Sequence, residues 1–267
     1  MNSDDFRYMR HGKPLCGLQP SDLALIAPFD QRGSGTERAL LLIHGLSSSP
    51  AVFRYLIPKL KQYDAIVCPL LPGHGQSVAL FRRVKVSEWL ETVRIACEDL
   101  CKHYTKVDIL GFSLGGLLAC ELTKIYNLNH LYLLAPAFKL PINVPFNIKL
   151  AKVAQALGFR DLRNNAGNFL SNEHAEIAFR KFPLSAAVEM LEYQQAFKWV
   201  LPACPIDLFL GRHDNIIASE AVEALFTPLA NTHIHWLENS AHVLPLDNDL
   251  DAIVECINLK ETVYCIE

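Results

Sequence analysis

A chain of 267 residues that is 51% hydrophobic can bury a sizeable core, and its length alone allows one or two domains. The formal net charge of −3 and a pI near 6.4 give no electrostatic footprint for nucleic acid. No apolar run approaches the roughly 20 residues of a membrane-spanning helix, and the first seven residues lack the pattern of a secretory signal, so a cytoplasmic protein without a membrane span is expected.

Read in chain order, short β-rich runs alternate with helical patterns. Strands are predicted at residues 23–27, 39–44, 65–70, 107–110, 131–134, 206–210 and 233–237. The inner ones are almost continuously apolar, as strands covered on both faces should be. Helices are expected at 51–61, 87–104, 114–126, 219–226 and 250–258. Within 87–104, Trp89, Val93, Cys97 and Leu100 recur at helical spacing and mark a core-facing stripe. The pattern predicts an α/β fold, a mostly parallel central sheet with helices on both faces.

One stretch breaks the alternation. Residues 138–202 show no convincing strand, begin with Pro141 and Pro145, and then turn helical at 148–157, 173–182 and 185–200. We expect a single domain over residues 1–267 with a small helical cap inserted at about 138–202, and residues 158–168 as its mobile connection. The eight cysteines, from Cys16 to Cys265, are scattered without a CxxC pair. That distribution favours buried thiols in a reducing compartment over disulfides or zinc.

The chemistry centres on Gly111-Phe112-Ser113-Leu114-Gly115-Gly116. A short apolar strand ends in Gly-x-Ser-x-Gly and a small-residue helix follows at once, the arrangement of a nucleophile elbow. Gly111 and Gly115 leave room around the turn, and the helix start aims unpaired N–H groups and a positive dipole end at the serine. Serine needs a general base, and the base needs an orienting acid. Asp214 ends the turn after the strand at 206–210, and His242 lies on the loop after the strand at 233–237. Both would sit beyond carboxyl ends of strands, where α/β folds gather their chemistry. Asp247 is a rival acid, but it reads as the N-cap of the last helix.

Two backbone N–H groups should receive an oxyanion: Leu114, just after the nucleophile, and Leu46, after Gly45 in His44-Gly45-Leu46-Ser47-Ser48-Ser49-Pro50. His44 is expected to shape that loop and His74 to pack in a turn near the site, while none of the histidines forms a metal-ligand cluster. In the cap, Phe138, Met190 and Leu191 are candidates for an acyl pocket. Arg54, Arg82, Arg83, Lys85, Arg160 and Arg163 read mainly as solvated surface, although a phosphate-bearing head group would suit them.

The ordered set HGL (44–46), PGHGQS (72–77), GFSLGG (111–116), GRHD (211–214) and SAHVLPLD (240–247) resembles the α/β-hydrolase superfamily, within it bacterial carboxylesterases and monoacylglycerol lipases with a small cap. The resemblance spans roughly residues 38–258 and implies Ser113, Asp214 and His242 as a catalytic triad, with Leu46 and Leu114 as oxyanion donors. It implies hydrolysis of a small-molecule carboxylic ester with an apolar acyl chain, without metal or organic cofactor. The same triad also serves thioesters, carbon–carbon bonds and acyl transfer, and a binding protein could retain the fold without using it.

Overall fold

A computed structural model describes residues 3–259. The chain opens with an antiparallel hairpin, β1 (Phe6–Arg10) and β2 (Lys13–Gly17), turning at His11 and Gly12 with φ of 48° and 71°. Residues 23–27, predicted as a strand, instead form a single helical turn, α1 (Leu23–Ile26). Pro20 starts the preceding 3-10 turn, and the Asp22 carboxylate accepts the Gln19 N–H, so the local capping chemistry winds the apolar run into a helix.

The central sheet begins with β3 (Phe29–Arg32), β4 (Arg38–Ile43) and β5 (Ala65–Cys68). Between β4 and β5 the helix predicted at 51–61 is replaced by two 3-10 segments, Pro50–Phe53 and Ile57–Lys59. Pro58 lacks the N–H that a continuous helix needs at that point. There follow α2 (Val78–Phe81), α3 (Val86–His103), β6 (Lys106–Phe112), α4 (Leu114–Leu122) and β7 (His130–Leu134). As the spacing requires, α3 buries Trp89, Val93, Cys97 and Leu100.

The inserted segment departs from the expectation of helices alone. It holds α5 (Val144–Ala156), β8 (Asp161–Arg163), β9 (Glu176–Phe179), β10 (Lys181–Pro183) and α6 (Leu184–Ala196). Residues 173–182, predicted helical, are mainly strand because β9 pairs antiparallel with β1, from Phe6 opposite Phe179 to Met9 opposite Glu176. The Phe6 and Phe179 rings stack at 4.3 Å. A partner some 170 residues away thus overrides the local pattern. Residues 158–168 are also more structured than expected, since β8 pairs with β10 and Ala166 and Gly167 accept the N–H groups of Gly12 and His11.

The chain closes with β11 (Ile206–Gly211), α7 (Ser219–Phe226), β12 (Thr232–Leu237) and α8 (Leu250–Leu259). The seven strands lie in the order β12-β11-β7-β6-β4-β5-β3, parallel throughout except for β3 at one edge. Leu40, Leu41, Ile109, Leu110, Leu131, Leu133, Leu208 and Leu210 of its inner strands are fully buried. Each such side chain contributes about 1.5–3 kcal/mol of transfer free energy. The register places Ile43 beside Gly111, Phe112 beside Leu134, and Gly211 beside Leu237. The loops leaving β4, β6, β7, β11 and β12 therefore converge at one edge of the sheet. No helix among the described residues is long and apolar enough to cross a membrane.

Candidate active site

Ser113 occupies the single residue between β6 and α4, with φ 54° and ψ −114°. This is a strained conformation for a non-glycine residue and persists only where the surroundings over-determine it. Here the Ser113 N–H donates to the Leu134 carbonyl at 2.9 Å, while its own carbonyl accepts from Gly116 and Ala137 at 3.0 and 3.1 Å. A Cβ at Gly115 would run into the Ile43 carbonyl oxygen, so α4 approaches β4 only because that residue is glycine. Gly211 has the same role at the end of β11, where a Cβ would strike the Ala241 carbonyl of the His242 loop.

Three predicted residues meet at this turn. His242 Nε2 lies 3.0 Å from Ser113 Oγ, and His242 Nδ1 lies 2.7 Å from Asp214 Oδ2. The second Asp214 oxygen accepts the N–H groups of Ile216 and Ile217 at 2.7 and 3.0 Å. With the carboxylate accepting at Nδ1, the proton resides there and leaves Nε2 to accept from the serine hydroxyl. The neighbouring His213 is exposed.

The amides of Leu46 and Leu114 donate to no acceptor among the described residues. Leu114 opens α4, where an N–H has no intrahelical partner. His44 supports the loop of Leu46 from beneath. Its Nδ1 donates to the Gly45 carbonyl at 2.9 Å, and its Nε2 accepts the Leu71 N–H at 3.0 Å. Burial lowers its pKa to about 4. His74 stands edge-on to it, ring centroids 5.1 Å apart. Burial, followed by the His44 imidazole, holds His74 well below the ordinary histidine range. Both rings are neutral props.

The loop carrying His242 is held by residues that sequence reasoning missed. Asn168 Oδ1 accepts the His242 N–H at 3.1 Å, and the Asn168 carbonyl accepts from Val243 at 2.9 Å. Asp247 is not the N-cap of the last helix. Its buried carboxylate accepts the N–H groups of Ala241, Leu170, Ser171 and Asn248, while α8 starts three residues later. It thus ties the His242 loop to the inserted segment. Glu176 is also buried and accepts the Gly167 N–H at 2.7 Å, with desolvation raising its pKa. The four N–H groups gathered around Asp247 come together through chain crossings that no local motif announces.

Among the acyl-pocket candidates, Phe138 packs at 5.1–5.7 Å against the rings of Phe197, Trp199 and Phe226. Met190 is buried and Leu191 half-buried on α6. Of the basic residues, Arg82 pairs with Asp161, Lys85 with Glu189, and Arg54 donates to backbone carbonyls. Cys68, Cys97, Cys120 and Cys204 are buried, whereas Cys16 is exposed, Cys101 is half-buried and Cys265 lies outside the described residues. Away from Ser113, β11, β12 and α8 bring Asp207, His235 and Cys256 together, their side-chain ligand atoms within 4.8 Å of one another.

Comparison with known proteins follows the same lines. The model of the "Alpha/beta hydrolase family" matches residues 40–255. A carboxylesterase of Bacillus subtilis (strain 168) is 22% identical over 86% of this chain and 95% of its own length. A solved structure of a metagenome-derived lipolytic enzyme superposes with a TM-score of 0.77 at 22% identity, covering 86% of this chain and 95% of that one. The monoacylglycerol lipase of Paleococcus ferrophilus superposes with a TM-score of 0.65 at 19% identity, over 86% and 98%.

Proposed function

The chain belongs to the alpha/beta hydrolase family, and from that premise we propose that it is a serine hydrolase of carboxylic esters. The observation that carries this reading is the unbroken relay from Ser113 Oγ through His242 to Asp214, with gaps of 3.0 and 2.7 Å. In the reaction, Ser113 Oγ attacks the ester carbonyl as His242 Nε2 takes its proton. Asp214 holds the imidazole and stabilises its positive charge. The amides of Leu46 and Leu114 receive the developing oxyanion, and losing one such donor costs about 3–4 kcal/mol of transition-state stabilisation. His242 then protonates the departing alcohol, leaving an acyl-enzyme on Ser113 that water, activated by the same imidazole, hydrolyses.

The small cap supports an apolar acyl chain as the preferred substrate, with Phe138, Met190 and Leu191 as its walls. Phe138 directly follows Ala137, whose N–H holds the Ser113 carbonyl. The B. subtilis carboxylesterase, similar along 95% of its own length, supports the ester reading. A cytoplasmic setting agrees with the cysteine distribution. Ser113→Ala is expected to abolish p-nitrophenyl butyrate hydrolysis, a loss of about 10⁶ in kcat, with an unchanged thermal melt. Retained turnover in that variant would contradict the assignment.

A further inference from the structure

A second carboxylate held by imidazoles lies at the opposite end of β11. Asp207 is the second residue of that strand and is fully buried. Its Oδ2 meets His130 Nε2 at 2.7 Å and its Oδ1 meets His235 Nε2 at 2.7 Å. The three residues come from the adjacent strands β7, β11 and β12. Cys256, on α8, brings its Sγ to 3.7 Å from the same His235 nitrogen. The ligand atoms of Asp207, His235 and Cys256 all lie within 4.8 Å of one another.

A buried aspartate needs only hydrogen bonds, and the two imidazoles supply them. With the Cys256 thiol beside His235, the same side chains also make up a ligand set. A tetrahedral zinc ion about 2.0–2.1 Å from a nitrogen and about 2.3 Å from a sulfur sets those atoms roughly 3.6 Å apart. The observed 3.7 Å between Cys256 and His235 already has this spacing. The Asp207–His235 gap has to open to about 3.4 Å for the same ion, a small tilt of either side chain. The supporting contacts are also in place. His130 fixes the carboxylate from its far oxygen, and the His235 ring is stacked on Phe209 at 4.6 Å with an interplanar angle of 16°.

We propose that Asp207, His235 and Cys256 form a zinc-type metal site remote from Ser113, with His130 as the residue that orients Asp207. Thiolate, imidazole and carboxylate together favour zinc or cobalt over calcium or magnesium. On binding, Cys256 releases its thiol proton to solvent, and the proton shared between His235 Nε2 and Asp207 moves to His235 Nδ1. The His235 side chain is 33% exposed, so water supplies the fourth ligand. An ion here ties α8 to β11 and β12 and takes no part in ester hydrolysis.

The test is titration of the chelator-treated full chain with Co²⁺, then Zn²⁺. One equivalent of cobalt should produce a thiolate-to-metal absorption band, and zinc at about a hundredfold excess over its Kd should raise Tm by roughly 5 °C or more. His235→Gln, which keeps a hydrogen bond to Asp207, and Cys256→Ser should each abolish the band and the zinc-induced Tm rise measured against the variant's own metal-free melt, while their ester hydrolysis stays at the wild-type level. Absence of the band in the wild type, or its persistence in either variant, overturns the site.

Discussion

Two carboxylate–imidazole networks flank the same strand. Asp214, just beyond the carboxyl end of β11, and Asp207, near its amino end, each hold a histidine nitrogen at 2.7 Å. What differs is the rest of each environment. Asp214 turns its second oxygen to the Ile216 and Ile217 amides, and the far nitrogen of its histidine faces Ser113 on a strained turn beside two unengaged N–H groups. Asp207 turns its second oxygen to another imidazole, and the histidine nitrogen it holds faces a thiol. An Asp–His pair by itself therefore does not distinguish the two ends. Chemistry follows from a nucleophile aligned with the free ring nitrogen and from donors waiting for the negative charge.

Parallel substitutions separate the two ends. Asp214→Asn should lower kcat for p-nitrophenyl butyrate by about 10⁴ with little change in Tm, because the imidazole loses its tautomer and its counter-charge. Asp207→Asn should leave kcat intact and cost about 3–5 kcal/mol in urea denaturation, since a buried pair is broken without removing the partners. If both variants lost activity equally at constant stability, the contrast between the two ends would be wrong.

Imidazoles with no carboxylate beside them sharpen the comparison through pH. His44 ionises at about 4 in the folded chain against an ordinary 6.5, so the unfolded chain binds more protons between those values. Stability should fall as pH drops through this window, by about 3 kcal/mol for this group at pH 4, and His74 shifts in the same direction. Denaturant midpoints measured from pH 7 to pH 4 check this, and a flat profile would contradict neutral, buried props under the oxyanion loop. The smallest effect is expected at Asp247. Asp247→Asn weakens the clamp on the His242 loop and should lower kcat about 10- to 100-fold with KM less affected. Removal of the negative charge without any kcat change would leave Asp247 a stabilising residue only.

Legibility in the sequence divides along similar lines. The inner strands announce themselves because β4, β6, β7 and β11 are buried on both faces and carry almost continuously apolar runs. The convergence of Ser113, Asp214 and His242 was legible because each lies past the carboxyl end of a sheet strand, in a short stretch with its own turn chemistry. β9 was not, since it becomes a strand only by pairing with β1 across most of the chain. Asn168 was hidden in a segment that looked like a loose connection. Asp247 was misread because an aspartate before a helix has a sufficient local role, while its actual partners at Leu170 and Ser171 are distant in sequence.

The central claim is that Ser113 is an activated nucleophile, and covalent labelling tests it most directly. A fluorophosphonate probe added to the full chain should modify one residue stoichiometrically, with the added mass mapping to Ser113. Labelling should disappear in Ser113→Ala and slow severely in Asp214→Asn, while Asp207→Asn labels at the wild-type rate. An unlabelled wild-type chain, or a label that persists in Ser113→Ala, would contradict the account.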